Sequence, residues 1–216
     1  SIGIVIILGA LVGTLLEKTG AALKMADVVV KWVGKKRPEL AMLIMGWIVS
    51  IPVFCDSGFV ILNPIRKALV KRTGRSAVAS AVALSMGLYI SHCFIPPTPG
   101  PIAAANTLFE GLAQPVNLLL IMAIGVLCSI LPVIASYIFA LVIGKKVKSR
   151  GEQTADDGAV VQTYEELVAS YGKLPGALMS FAPIVVPIVL MGLSSALNMA
   201  KVSIPFFTFL GTPIMA

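Results

Sequence analysis

Four prolines fall within six residues, Pro96-Pro97-Thr98-Pro99-Gly100-Pro101, directly after an apolar run from Ser76 to Ile95. That run is about one membrane span long by the rule of roughly 20 residues. Each proline lacks an amide donor and crowds the preceding turn, so no continuous α-helix passes through the segment. Helix-compatible residues resume at Ile102-Ala103-Ala104-Ala105-Asn106. The pattern predicts a helix broken in two over residues 76–113, since a kink needs a single proline and this segment carries four.

The chain around this break is made for lipid. Of 216 residues, 57% are hydrophobic and 12% charged, with a mean hydropathy of +0.95. Soluble domains carry about 25% charged residues. The reading is an all-α integral membrane protein, its apolar side chains solvated by the bilayer. Seventeen Lys plus Arg against ten Asp plus Glu give a net charge of +7. The cations are bunched in short connectors and form no stripe interleaved with aromatics, which argues against a nucleic-acid partner. Bunched cations beside apolar runs follow the positive-inside bias. Cys55, Cys93 and Cys128 lie among apolar residues without metal-ligand spacing. They read as packing residues, with neither a disulfide framework nor a zinc site.

Along the chain, Ile2 to Leu16 reads as a membrane helix without the flanks of a signal peptide. Lys24, Asp27, Lys31 and Lys35 then recur at helical spacing among Ala, Val, Met and Trp32, which predicts an interfacial helix. Between the basic clusters Lys35-Lys36-Arg37 and Arg66 to Arg75 runs an apolar stretch from Leu40 to Leu62. A single crossing would strand one cluster outside, so 40–62 is expected to be a re-entrant hairpin turning at Ile51-Pro52-Val53-Phe54-Cys55-Asp56-Ser57-Gly58-Phe59. Residues 116–143 return across the bilayer, with a kink expected at Pro132, and end on Lys145, Lys146, Lys148 and Arg150. Residues 144–173 read as a cytoplasmic connector. Leu174 to Met199 is read as a further span interrupted by Pro183 and Pro187. The chain opens and stops inside apolar runs and so reads as a fragment: a first transport repeat over 1–143, then the truncated start of a second over 174–216.

Discontinuous helices expose backbone amides and carbonyls at membrane depth, where half-helix N-termini attract anions. This is transporter architecture. Asp56 is the one acid inside a full apolar run. Its carboxylate is costly to ionise there, which suits a residue that picks up and releases a proton; the alternative is a hairpin acid capping backbone amides. His92, the sole histidine, either relays protons near neutral pH or is a hydrogen-bonded core residue. Ser57, Thr98 and Asn106 can bind substrate hydroxyls or satisfy backbone at the breaks, and Glu110 reads as interfacial.

The residues Gly9-Ala10 to Gly13-Thr14, Leu16 to Ala22, Gly34 to Arg37, Pro52 to Leu62, Pro96 to Pro101 and Ala103 to Ala105 together resemble the gluconate permease family of bacterial proton symporters. The match runs over most of Ile2 to Ile143. The resemblance implies a multi-pass carrier of the bacterial inner membrane built from inverted repeats, taking up gluconate or a related hydroxy-carboxylate. It implies a proton gradient in place of any cofactor. By the same analogy Asp56, Ser57 and Gly58 form one half-site tip, and Thr98 and Gly100 its unwound helix. Partners are then a small organic anion and the lipid bilayer, with assembly as a homo-oligomer left open.

Two other readings remain. One is a carrier for a different small organic anion, such as glycerate, lactate or a citrate-like acid. The other is an intramembrane enzyme using His92, Asp56 and Cys93; against it, no metalloprotease or serine-nucleophile pattern occurs. No phosphate-binding Gly-rich loop with Lys and Ser/Thr follows a strand, which argues against ATP-driven transport by this chain.

Overall fold

A computed structural model describes residues 7, 11–16, 18–34, 37–51, 53–96, 98–111, 117–147, 166, 169, 172 and 174–199. Its regular structure is helical throughout the described residues. After a helical stretch at 11–16 come α1 (Ala21–Val33), α2 (Pro38–Val49), α3 (Cys55–Thr73), α4 (Ala77–Phe94), α5 (Pro99–Gly111), α6 (Leu118–Lys146) and α7 (Ala177–Met199). Among the described residues, two stretches are long and apolar enough to cross a membrane: Ala77–Gly111, taken across its break, and Leu119–Lys146.

Local chemistry explains the boundaries. Pro38 opens α2, where its missing N–H costs nothing. The Ser76 hydroxyl caps α4 by accepting from the Ala79 amide at 3.2 Å, and Asn117 Oδ1 caps α6 by accepting from the Leu120 amide at 3.1 Å. Gly74, at φ 63°, ends α3 in the left-handed conformation that only glycine adopts freely. The last turn of α6 carries Lys145 and Lys146, which complement the helix dipole there.

The bundle is organised around α4. A Cβ built on Gly46 of α2 would lie 2.7 Å from the Leu84 carbonyl oxygen and 3.0 Å from the Leu88 amide nitrogen. One built on Gly87 would run into the Leu43 carbonyl. The two backbones therefore touch, as small residues allow between membrane helices. Gly58 of α3 meets the same Leu88, whose Cδ2 is 2.7 Å from a Cβ built there. Leu88 is thus gripped between α2 and α3 at positions equally distant in sequence from residue 52. Farther down α3, Arg66 donates from Nε to Asn63 Oδ1 at 2.8 Å and from Nη1 to the Ala77 carbonyl at 3.0 Å. So α3 runs antiparallel to α4, back toward its first turn. Gly125 of α6 lies against the Phe94 carbonyl and Gly144 against Ser76 and Ala79, making α6 antiparallel to α4 as well.

Four local expectations change. The stretch 40–62 is two helices parted by residues 50–54, and the second arm continues to Thr73, because Asn63 to Arg72 remain helix-compatible. The helix α1, read as interfacial, is buried along most of its length against α2 and α7. It tolerates this because Asp27, 5% exposed, accepts from Lys24 Nζ at 3.4 Å and Lys31 Nζ at 2.8 Å. Helix α5 starts at Pro99, three residues before Ile102, since Pro99 and Pro101 sit in a first turn whose amides need no helical partner. Helix α7 passes through Pro183 and Pro187 without interruption. Most of the connector 144–173, and residues 200–216, lie outside the described residues.

Gly46→Leu should therefore force α2 off α4 and cost about 1–3 kcal/mol of stability through overpacking. Gly111→Ala, where an added methyl meets open space, should be neutral. Thermal unfolding in detergent, followed by size-exclusion chromatography, compares the two.

Candidate functional site

The tip between α2 and α3 is closed by its own residues. The Ser50 amide donates to the Gly46 carbonyl at 3.0 Å, and the Ser50 hydroxyl donates to the Val53 carbonyl at 3.1 Å. Ser50 and Val53 are buried, with Gly13 of the preceding helical stretch close to Val53. Phe54 is extended and offers no side-chain cap, so the first amides of α3 are not capped by a side chain. Asp56 and Ser57 stand exposed in that first turn, and Cys55 Sγ donates to Asp56 Oδ1 at 3.8 Å. Gly58 is buried against Leu88, so its part at the tip is to let α3 approach α4.

The proline break is braced differently. Helix α4 ends with the Ile95 amide donating to the Ser91 carbonyl at 2.9 Å, and Ile95 turns extended. Thr98, 6% exposed, donates its hydroxyl to the Ile95 carbonyl at 2.8 Å, while its own carbonyl accepts from the Ile102 amide at 3.3 Å. Thr98 thus closes the break with its side chain and opens α5 with its backbone. Ile95, Ile102 and Met122 form a small apolar cluster, packed by Trp47, Ile51 and Val126. Trp47 Nε1 donates to Ser129 Oγ at 3.1 Å, tying α2 to α6 beside this cluster. Gly100 and Asn106 are exposed on α5.

Tip and break are neighbours. The Phe54 and His92 rings lie 5.8 Å apart, tilted by 53°, and Ile51 reaches the cluster around Ile95. The last turn of α4 is therefore where the hairpin-like pair and the broken helix meet. It sets His92 against Phe54, the residue that precedes Cys55 and Asp56, and Thr98 inward with its hydroxyl engaged. Sequence reasoning passed over Ser91, fully buried one turn before the break. Its Oγ and the neighbouring His92 Nδ1 have no hydrogen-bond partner among the described residues. Its signal in the sequence was faint: a lone hydroxyl next to the sole histidine. No group of three His, Cys, Asp or Glu that could hold a metal ion occurs among the described residues.

Helical throughout the described residues, with two stretches long and apolar enough to cross a membrane, the chain has the make-up of a membrane permease. The pattern of GntP family permeases matches residues 1–216, and the chain belongs to that family, which is one of permeases and not of enzymes. An uncharacterized permease of Haemophilus influenzae is 38% identical over 226 residues, covering 100% of this chain and 45% of the relative. The Gnt-II system L-idonate transporter of Escherichia coli is 31% identical, over 96% of this chain and 45% of its own length. A gluconate permease of Pseudomonas aeruginosa is 25% identical, over 92% of this chain and 42% of its own. The chain spans about half the length of the curated relatives it matches. No solved structure matches it.

Thr98→Val should leave the Ile95 carbonyl unpaired in a buried site and cost about 1–3 kcal/mol, whereas Thr98→Ser keeps the bond and should behave as wild type. Melting temperatures of the two purified variants would check this. Equal stability for Val and Ser would mean that the hydroxyl does not hold the break.

Proposed function

We propose that this protein is a secondary active carrier of the bacterial inner membrane that takes up gluconate or a related sugar acid together with a proton. The observation that carries the reading is the packing of the tip on the region of the proline break, Phe54 against His92 and Ile51 against the cluster of Ile95, Ile102 and Met122. Backbone that leaves a helix at membrane depth survives where it is buried in protein or lines a watery cavity, and paired interruptions of this kind are where carriers hold their substrates. The uncapped first turn of α3 offers amide dipoles to a carboxylate. Exposed Ser57 and Asn106 offer groups that hydrogen-bond sugar hydroxyls, and Gly100 leaves the start of α5 open to approach. The names gluconate permease and L-idonate transporter among the relatives favour a sugar acid over the smaller or more highly charged organic anions.

A second set of contacts supports a reading of membrane placement. The bond from Arg66 to Ala77 and the approach of Gly144 to Ser76 gather Arg75, Lys145 and Lys146 at one end of the bundle. By the positive-inside rule that end faces the cytoplasm in this reading, with α2 and α3 as a re-entrant hairpin entering and leaving on that side. In this reading a second repeat, inverted in the membrane, starts over 174–216, and the relatives, about twice as long as this chain, leave room for the rest of it. In this reading Asp56 carries the coupled proton, exposed at the tip where water and substrate reach it, and His92 relays it. Self-association of the carrier is compatible with the broad apolar outer face of α6.

If Asp56 carries the proton, Asp56→Asn should abolish pH-driven accumulation of gluconate in membrane vesicles while leaving exchange of gluconate against gluconate largely intact, because an amide cannot titrate. Unchanged accumulation would return Asp56 to a structural role. Single cysteines at Arg37, Lys71 and Lys146, in a background lacking the native thiols, should react with an impermeant reagent only in inside-out vesicles. Labelling of positions 37 and 71 from opposite sides would make the intervening chain a true crossing.

A further inference from the structure

We infer that Ser91 contacts the substrate, its hydroxyl, with the adjacent His92 Nδ1, hydrogen-bonding to the polyol chain of the bound sugar acid. The inference rests on the sugar-acid reading above and adds to it a residue and a part of the ligand.

Hydroxyls in these helices ordinarily close back on their own backbone. Thr73 donates to the Leu69 carbonyl at 2.8 Å, Thr107 to Ala103 at 3.1 Å and Ser180 to Gly176 at 3.1 Å, each four residues back. Ser80 and Ser129 donate three residues back, to Ala77 at 3.0 Å and Val126 at 2.7 Å. This is the usual way for a helical hydroxyl to avoid standing unpaired in apolar surroundings. Ser91 is 0% exposed and makes no such bond, although the Gly87 carbonyl occupies the equivalent place. His92 Nδ1, on the next residue, is buried and equally unpaired. An unpaired buried hydroxyl is a standing cost, and two unpaired polar atoms on consecutive residues call for a partner from outside the described residues.

Their position narrows the choice of partner. Ser91 lies on the face of α4 that carries Leu84, Gly87 and Leu88 and receives the hairpin-like pair, one turn nearer the break. His92 faces Phe54 of the tip. Both atoms therefore sit where tip and break meet. A serine hydroxyl both donates and accepts, and an imidazole nitrogen does one or the other, so a hydroxyl, able to give or take a hydrogen at each, meets both atoms whichever way Nδ1 is used. Ordered water and a substrate hydroxyl share that chemistry. A sugar acid presents several such hydroxyls along one chain, enough to meet both atoms at once, and the junction of tip and break is where the carrier would hold it.

The test uses the full-length carrier in membrane vesicles, with gluconate and its monodeoxy analogues competing against labelled gluconate. Ser91→Ala should weaken gluconate roughly tenfold. One monodeoxy analogue that binds the wild type about tenfold less well than gluconate should bind the variant as well as gluconate does, the lost hydroxyl having no partner left to miss. Ser91→Cys, which keeps the size of the side chain with a weaker donor, should show the same ordering. Equal weakening across the whole series, or none, would overturn the assignment. So would a drop in the melting temperature of the ligand-free variant with all affinities unchanged, which would identify the partner as structural water. A wild-type carrier that binds no sugar acid would remove the parent reading and this one together, and is told apart from the other outcomes by that control alone.

Discussion

A peptide group that leaves a helix inside an apolar environment must find another partner or cost several kcal/mol by order of magnitude. This chain leaves its helices twice within the same neighbourhood, between α2 and α3 and between α4 and α5, and the rest of the fold is arranged around the consequences. At the tip, Ser50 supplies a hydroxyl to the Val53 carbonyl; at the break, Thr98 supplies one to Ile95. Each interruption is closed from within by one side chain and covered from outside by apolar neighbours. The two irregular segments then share those neighbours, since Ile51 of the tip packs into the cluster that covers the break.

Close backbone approach makes the sharing geometrically feasible. Gly46 and Gly87 let α2 and α4 touch, Gly58 lets α3 close on Leu88, and Gly125 and Gly144 bring α6 against the two ends of α4. Large side chains at these points would hold the helices apart and open the tip and the break to lipid. The outward face of α6 carries Leu127, Leu131, Ile134 and Ile138 in its place, all exposed, as suits a surface that meets acyl chains. Small residues inside and branched residues outside divide one helix into a packing face and a lipid face. Arg66 performs the polar counterpart at the other end, pinning the return arm of the pair to the first turn of α4 through a half-buried guanidinium with three acceptors.

Much of this was legible in the residues. The proline run announces the break because proline's missing donor is a local, covalent property that no tertiary contact restores. The helix breaker, acid, hydroxyl and glycine grouped at 52–58 announce an interruption within 40–62, and the structure divides that stretch into two helices. The family resemblance, carried by the tip and proline motifs, agrees with the match of GntP permeases to the whole chain. The start of α5 was less legible: prolines that forbid a helix interior are welcome in a first turn, and sequence alone does not say which they occupy. The depth of α1 was hidden for a related reason. Lys24, Asp27 and Lys31 look like a polar face, yet in the fold both lysines pair with the buried Asp27 carboxylate beside packed Met25 and Val30.

The sequence by itself determined where helices can and cannot run, that the medium is lipid, and which short segment holds the acid, hydroxyl and glycine of the tip. These follow from dihedral limits, hydropathy and charge, which act residue by residue. Only the tertiary structure decided which polar groups are spent and which are free. Thr98 and Ser91 are both small hydroxyl residues beside the same break, but one is committed to a carbonyl and the other has no partner among the described residues. That difference depends on rotamer and on the face each residue presents to neighbours distant in sequence, and a hydrogen bond is lost within about half an ångström or a few tens of degrees of misplacement.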